Sequence, residues 1–464
     1  MDILSENIEK NKDNMIKDVE KVVKIKSVEG VKKEGKPFGD GPAEALNCAL
    51  DICKNIGFKT VNLDNYVGYA EYGTGKDYVA VLGHLDVVPA GDGWNTDPFS
   101  PEIIDGKMYG RGTCDDKGPI ISALYGLKAL ADSKLKISKR VRVIFGTNEE
   151  SGSKEISHYL EKEKDPVSGF TPDAEYPIIY GEKGITIIDV IKKVQVKPSG
   201  NIKINYIRGG EKANMVPNYC EAGLTVKDIE SVKKLLNDFK SETGYDIRLE
   251  EKPDEIVLKS YGLGAHGSLP ELGKNAVMQL FGFLSKLPCE KNDISDFVAF
   301  FDKYVGMETD GKSFGIELKD DVSGKLTNNV GVVRADENEI KLKLNVRYPV
   351  TFKYEDMMVP FKKRISEMGY EVNVILREDP LYFSKDNPLI KTLQKVYTEQ
   401  TGKEAKLLAI GGGTYAKNMP NIVAFGPQLP GEPDLCHNAN EYMKIEDLVL
   451  NAKIYAHAIY ELAK

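Results

Sequence analysis

The segment DYVAVLGHLDVVP (residues 77–89) joins an apolar strand to a polar end. Its continuous run of Val, Ala and Leu is typical of a strand covered on both faces of a parallel sheet. A second such run, RVRVIFGTNEE (residues 140–150), follows the helix-like stretch GPIISALYGLKALADS (residues 118–133). Strands that alternate with helices in this way predict an α/β fold with a mostly parallel central sheet flanked by helices.

Polar residues stand where these two strands end. His84 and Asp86 follow the first strand, and Glu149 and Glu150 follow the second. Sites in parallel sheets form at the carboxyl ends of strands. Most Glu-Glu pairs are solvated loops. Since successive residues at the end of an extended strand point to opposite sides, we expect the two glutamates to have separate roles.

The middle of the chain carries a weak internal repeat. A strand, a helix and a strand over residues 221–251 recur over residues 341–378, with Gly244 and Gly369 after the two helices. Helix-glycine-strand units are common, so two copies do not decide whether these stretches are a true internal repeat. The repeat predicts a second domain of two similar halves, inserted into the first. The predicted bounds are residues 1–183 and 385–464 for the first domain and 184–384 for the inserted one.

Composition narrows the class of protein. A chain of 464 residues predicts two domains, and 41% hydrophobic with 29% charged residues is ordinary for a globular protein. The net charge of -8 and scattered basic residues argue against a nucleic-acid partner. No apolar stretch approaches membrane-spanning length, and the polar start does not resemble a signal peptide. Six widely spaced cysteines favour a reducing cytoplasm.

Further candidate ligands lie in predicted loops. Asp115 and Asp116 occupy GRGTCDDKG (residues 110–118), where a capping aspartate is the ordinary explanation. Asp173 lies in PDAEYP, and His437 lies in CHNANE. Histidines with several carboxylates suit a borderline metal such as zinc, and the excess of acids favours two ions that share a bridging carboxylate. No G-x-S-x-G motif supports a serine nucleophile.

Five motifs occur in a characteristic order: GHLDVVPAG, GRGTCDDKG, GTNEESG, PDAEYP and CHNANE. Together they resemble the di-zinc metallopeptidase family of aminoacylase, acetylornithine deacetylase and succinyl-diaminopimelate desuccinylase. The resemblance extends over essentially the whole chain and is strongest to the bacterial dipeptidase V branch, the carnosinase-like Xaa-His dipeptidases. It implies a zinc-binding catalytic domain interrupted by an α+β lid domain made of two similar halves.

The resemblance also implies roles for individual residues. One zinc ion would be held by His84 and Asp173, the other by Glu150 and His437, with Asp115 as the bridge. Asp86 would orient His84 and belong to the catalytic set. Glu149 would be the general base, which takes a proton from the bridging water and passes it to the leaving amine. Manganese or cobalt could replace zinc, because histidine and carboxylate ligands accept all three.

Lid residues are implied as well. His266 is a lone histidine in a loop, and such a residue is ordinarily exposed at the surface or used in packing. The resemblance makes it a catalytic helper that donates a hydrogen bond to the oxyanion. Asn214 and Arg347 match residues that bind substrate, and the fork of Arg347 suits a free carboxylate. Gly413 and Thr414, in a GGGT run, would contact the same carboxylate or form a simple turn.

The function implied is that of a cytoplasmic, zinc-dependent dipeptidase. Its substrates would be small dipeptides with a free amino terminus and a free carboxylate, and neither nucleic acid nor membrane would be a partner. A lid with two similar halves predicts a monomer. The alternative is an N-acyl amino acid deacylase or a carboxypeptidase with the same two metals. A non-catalytic binding protein is disfavoured, since every expected site residue is present.

Overall fold

The chain folds into two compact units. The structure is a computed structural model that describes residues 2–464. The first unit runs to Tyr180 and resumes over Phe383–Leu408 and Gly413–Lys464. The second unit comprises Gly181–Tyr382 and Ala409–Gly412. Each unit is built around its own cluster of buried apolar side chains.

A mixed sheet forms the centre of the first unit. In order across the sheet, its strands are Lys59–Leu63, Val67–Tyr72, Arg140–Gly146, Tyr78–His84, Ser168–Thr171, Ile422–Ala424, Ile178–Glu182 and Leu381–Tyr382. The four strands from Arg140–Gly146 to Ile422–Ala424 are parallel, and the strands outside them are antiparallel. This arrangement confirms the predicted α/β fold with a mostly parallel central sheet.

Helices cover the sheet of the first unit. They are Ile3–Val23, Asp40–Asn55, Lys117–Ser133, Lys154–Lys162, Pro388–Thr401 and Ile445–Ala463. Lys117–Ser133 is buried along most of its length, because it packs against the helices Ile3–Val23 and Ile445–Ala463 as well as the sheet. Short strands lie at Glu102–Ile104, Lys107–Tyr109, Ala174–Glu175, Leu407–Ile410, Pro427–Gln428 and Tyr442–Lys444, and 3₁₀ turns at Glu149–Ser151 and Tyr415–Asn418.

Three parallel strands end at the same edge of this sheet. Every residue of Tyr78–His84 is buried, as expected for a central strand with helices on its faces. His84 is in register with Gly146, the last residue of the neighbouring strand. Ser168–Thr171, on the other side, ends two residues before Asp173. The polar residues that follow these strands are therefore brought to one edge.

An antiparallel sheet forms the second unit. In order across the sheet, its strands are Asp246–Glu251, Ile256–Tyr261, Tyr219–Val226, Ile202–Gly209, Thr327–Ala335, Glu339–Tyr348, Gly184–Lys193 and Glu371–Glu378. Its helices are Ile229–Thr243, Ala276–Leu284, Asp293–Tyr304 and Tyr354–Glu367. A 3₁₀ turn at Pro270–Leu272 and the paired short strands Lys319–Asp320 and Gly324–Lys325 complete the unit.

The antiparallel sheet consists of two halves with matching topology. In each half, a strand, a helix and a second strand follow one another along the chain. In the sheet, one further strand lies between these two strands and is antiparallel to both. Ile256–Tyr261 is that inner strand in one half, and Gly184–Lys193 is the inner strand in the other. Gly244 and Gly369 follow the two helices with φ of 71° and 75°, a left-handed conformation that favours glycine.

Within residues 2–464, no helix combines the length and the apolar character needed to cross a bilayer.

The central strands predict a large stability loss when Phe170 is truncated. Its ring is fully buried and packs 5.6 Å from Phe425 and 5.4 Å from Tyr455, measured between centroids. We expect Phe170→Ala to lower the free energy of unfolding by about 3–5 kcal/mol in urea denaturation. Val31→Ala, at a side chain that is 82% exposed, is the control and should change it by less than about 0.5 kcal/mol. Equal effects of the two substitutions would contradict this packing.

Candidate metal centre

His84 is held at the end of the central strand by contacts to both ring nitrogens. Its side chain is fully buried, and Nδ1 lies 2.9 Å from the backbone oxygen of Asp86, with the Asp86 carboxylate at 3.5 Å. Nε2 lies 2.9 Å from Oδ1 of Asp115 and 3.7 Å from Oδ1 of Asp173. A ring whose Nδ1 donates to a carbonyl presents Nε2 as the ligand atom, which is a common arrangement at metal sites.

Asp86 also shapes the segment that carries the two glutamates. Its Oδ1 accepts from the backbone N–H of Glu149 and its Oδ2 from that of Glu150, each at 3.1 Å. The expectation that the glutamates end an extended strand is wrong, since the strand stops at Gly146 and they form a 3₁₀ turn. The reason is that their N–H groups bond the buried carboxylate of Asp86 rather than a neighbouring strand.

The two glutamates nevertheless belong to different groups of side chains. Candidate ligand atoms of His84, Glu149 and Asp173 all lie within 4.8 Å of one another. A second group within the same limit consists of His84, Asp115 and Glu150. The 3₁₀ turn therefore sends adjacent carboxylates to two overlapping sets that share His84.

His437 approaches the site from a loop near the carboxyl end of the chain. Its backbone has a φ of 64°, and its side chain is 55% exposed. Nε2 lies 3.1 Å from Oδ2 of Asp115 and 3.1 Å from Oε2 of Glu150. Because Oδ1 of Asp115 faces His84, its two oxygens contact two different histidines. Asp115 is thus the carboxylate that lies between the two histidines.

Burial and mutual repulsion shift the pKa values of the site. Burial raises the pKa of Glu149 well above its usual range, and the charge of Asp173 adds to that shift. Burial also raises the pKa of Asp173 to about 6, against the opposing effect of His84. For Asp115, hydrogen bonds to the two histidines outweigh burial and hold the pKa well below its usual range. Hydrogen bonds to the carboxylates of Asp115 and Glu150 raise the pKa of His437 to about 10.

The donor set fits a pair of divalent cations. Four largely buried carboxylates share the space with only two histidines: Asp115, Glu149, Glu150 and Asp173. Burying several like charges is unfavourable unless cations compensate them, and the raised pKa values of Glu149 and Asp173 reflect that imbalance. Imidazole nitrogen and carboxylate oxygen are ligands that zinc, manganese and cobalt accept.

Glu441 is part of the site, although the sequence did not single it out. Its side chain is fully buried and accepts from Nη1 of Arg111 at 2.7 Å and from the backbone N–H of Cys114 at 2.8 Å. It thus supports the loop that carries Asp115. The only available signal was its position four residues after His437 within CHNANE.

Tyr415 and Glu155 also lie at the site, although no sequence motif pointed to them. The Tyr415 ring lies edge-on to His84, with ring centroids 6.1 Å apart, and its hydroxyl donates to the buried Glu155 carboxylate. The predicted residues Gly413 and Thr414 directly precede Tyr415, and Oγ1 of Thr414 accepts from the backbone N–H of Ala416 at 3.2 Å. The GGGT run therefore leads into a buried contact beside His84.

The second unit brings two of the predicted lid residues together. The backbone N–H of Gly267 donates to the carbonyl of Asn214 at 2.7 Å, which places His266 beside Asn214. Nδ1 of His266 accepts from the backbone N–H of Ser268 at 3.3 Å and contacts the Ser268 hydroxyl at 2.6 Å. The neutral ring therefore carries its proton on Nε2. Burial and the charge of Arg347 lower the pKa of His266, which favours that neutral form.

Arg347 is buried in the same unit but keeps part of its donor capacity. Its Nε donates to Oδ1 of Asn345 at 2.7 Å, and its Nη1 donates to the carbonyl of Gly411 at 3.0 Å. Burial lowers the pKa of Arg347 to about 10, so the guanidinium stays charged at neutral pH. The two bonds hold the fork in a fixed orientation.

The chain matches known proteins over most of its length. Residues 80–461 match the family described as Peptidase family M20/M25/M40. The chain is 40% identical to "Putative dipeptidase YtjP" of Bacillus subtilis (strain 168) over 461 residues, which covers 98% of each protein. Among solved structures, human carnosine dipeptidase 1 shares 15% identity with a TM-score of 0.59, covering 99% of this chain and 98% of that one.

A second solved structure shows the same fold. Aminoacylhistidine dipeptidase from Vibrio alginolyticus has a TM-score of 0.60 at 13% identity, covering 97% of this chain and 96% of that one. At such identities the likeness concerns the fold alone. The family match and the 40% identity to a full-length relative carry the assignment. The chain therefore belongs to peptidase family M20/M25/M40.

Proposed function

We propose that this protein is a dipeptidase that depends on two zinc ions, with manganese or cobalt as possible replacements. The observation that carries the proposal is Asp115 between His84 and His437, with Glu149 at the edge of the same cluster. The name of the Bacillus relative, which is similar over 98% of both chains, supports dipeptides as the substrate class. The structural likeness to dipeptidases supports the fold that this activity needs.

The proposed chemistry divides the work between the ions and the chain. When bound, the ions acidify a water molecule and polarise the scissile carbonyl. Glu149 accepts the proton of that water and delivers it to the leaving amine. Its carboxylate lies within 4.8 Å of candidate ligand atoms of His84 and Asp173, so it is close enough to exchange a proton with a water molecule held at this cluster. Asp86 keeps Glu149 in place through the backbone N–H.

We assign the lid histidine to the carbonyl oxygen of the substrate. Ser268 occupies Nδ1 of His266, so Nε2–H is the donor that can stabilise the developing oxyanion. The lowered pKa of His266 keeps this proton on a neutral ring rather than on an imidazolium. His266 therefore acts as a hydrogen-bond donor and not as an acid.

The free carboxylate of the dipeptide is assigned to Arg347. Its fork is charged and held by Asn345 and Gly411, and a fixed fork loses little entropy when it binds a carboxylate. Asn214, Gly413 and Thr414 are proposed to complete the contacts to the substrate.

Two further properties belong to the same proposal. All six cysteines are free thiols, so we propose a reducing compartment, the cytoplasm. The antiparallel sheet already holds two similar halves, so we propose that a monomer is active without a partner chain.

The proposed activity is tested by metal depletion and a substrate panel. We expect chelated protein to lose hydrolysis of simple dipeptides and to regain it with about two equivalents of zinc. Dipeptides, N-acetylated amino acids and N-acylated peptides are compared under the same conditions by ninhydrin assay. Faster cleavage of N-acetylated amino acids would assign a deacylase instead, and activity that resists chelation would exclude the metal-dependent mechanism.

Removal of the general base should separate catalysis from metal binding. We expect Glu149→Gln to lower kcat by roughly 10²–10⁴-fold while zinc content, measured by atomic emission, stays at the wild-type level. Glu161→Gln, at an exposed position of the helix Lys154–Lys162, is the matched control and should keep full activity. A Glu149→Gln protein with near wild-type kcat would remove Glu149 from this role.

Substitution of the carboxylate-binding arginine should act on substrate affinity. We expect Arg347→Lys to raise KM by about tenfold or more, because an ammonium cannot make the bidentate contact. Dipeptide amides lack the carboxylate and should show a much smaller difference between wild type and variant in steady-state kinetics. An equal loss on dipeptides and their amides would mean that Arg347 does not recognise this group.

A further inference from the structure

Glu441 makes more contacts than a buried ion pair needs. Its Oε2 accepts from Nη1 of Arg111 at 2.7 Å. Its Oε1 accepts from the backbone N–H groups of Gly112 at 3.0 Å, Cys114 at 2.8 Å and Asp115 at 3.3 Å. Several N–H groups converge on one fully buried carboxylate, as in the anion-binding loops called nests.

The loop is shaped around this carboxylate. Gly112 has a φ of 92°, and a side chain added there would meet Lys117 at 2.9 Å, so the loop depends on glycine at this position. The backbone carbonyl of Glu441 also accepts from the N–H of Gly110 at 3.0 Å. Main chain and side chain of Glu441 thus bind both ends of the turn that leads into Asp115.

The same residue connects two ligand-bearing loops. Glu441 follows His437 by four residues, and its carboxylate accepts from the N–H of Asp115. Asp115 in turn contacts His437 Nε2 through Oδ2 at 3.1 Å. Asp115, His437 and Glu441 are therefore linked in a ring, in which Glu441 holds the main chain of Asp115 and lies four residues after His437.

We propose that Glu441 is a positioning residue that fixes the spacing between Asp115 and His437 and thereby sets the affinity for the metal pair. This rests on the proposed function, since it assigns metals to Asp115 and His437. Outer partners of metal ligands typically change metal affinity by about 10–100-fold when removed. A carboxylate that merely stabilised the fold would lower stability without a specific effect on metal binding.

The test compares two substitutions of Glu441 with a matched control. Glu441→Ala removes every acceptor, whereas Glu441→Gln keeps one oxygen for the N–H groups and sets an amide against Arg111. The control is Glu71→Gln, because Glu71 also binds two arginines, Arg140 and Arg142, each at 2.8 Å, and contacts neither ligand loop. Zinc affinity of the metal-depleted proteins is measured by competition with a chromogenic chelator.

We expect Glu441→Ala to weaken zinc binding by about 10–100-fold and Glu441→Gln by about tenfold, with Glu71→Gln unchanged. In zinc-saturated protein, kcat for a dipeptide should fall while KM stays within about twofold, because the substrate contacts are not altered. Thermal unfolding of the metal-free proteins monitors the fold. If Glu441→Ala does not fold, Glu441→Gln decides alone.

Each result has one meaning. Wild-type zinc affinity in the folded Glu441 variants overturns the positioning role and leaves the proposed function intact. Equal weakening in Glu71→Gln also overturns it, since the effect would then be general. A wild-type protein that binds no zinc refutes the proposed function itself.

Discussion

One buried residue, Asp86, organises both sides of the site. The backbone oxygen of Asp86 accepts from Nδ1 of His84, and its two carboxylate oxygens accept from the backbone N–H groups of Glu149 and Glu150. The end of one parallel strand and the turn that follows the neighbouring strand are thereby joined through the buried side chain of Asp86. Hydrogen bonds to a buried carboxylate are strong and directional, so the positions of His84 and the two glutamates depend on them.

The second constraint is electrostatic. The carboxylates of Glu149, Glu150 and Asp173, which follow two strands of the sheet, lie with that of Asp115 close to two histidines, His84 and His437. The pKa of Asp115 is held low while those of Glu149 and Asp173 are raised, so the carboxylates are not equivalent. Contacts to two histidines favour the charged form of Asp115, whereas burial and the charge of Asp173 disfavour the charged form of Glu149.

Sequence patterns predicted those features that depend on local order. The buried strand Tyr78–His84 was predictable because its apolar run is continuous, and the matching halves of the antiparallel sheet left a repeat with glycine after each helix. The conformation of Glu149 and Glu150 was not predictable. Their turn depends on Asp86, which lies more than sixty residues earlier in the chain and leaves no local signal.

The places of Glu441 and Tyr415 in the site were not predictable from the sequence for a related reason. A buried glutamate looks like a surface glutamate in the sequence, and only the fold shows the N–H groups of the Asp115 loop that surround it. Tyr415 likewise acquires its partner Glu155 across 260 residues of chain.

The sequence by itself determined the fold class and the types of side chain offered as candidate metal ligands, because apolar periodicity and residue chemistry are local properties. Only the tertiary structure decided which oxygen faces which histidine and which buried groups hold them, since these contacts join segments that are distant in the chain and close in space.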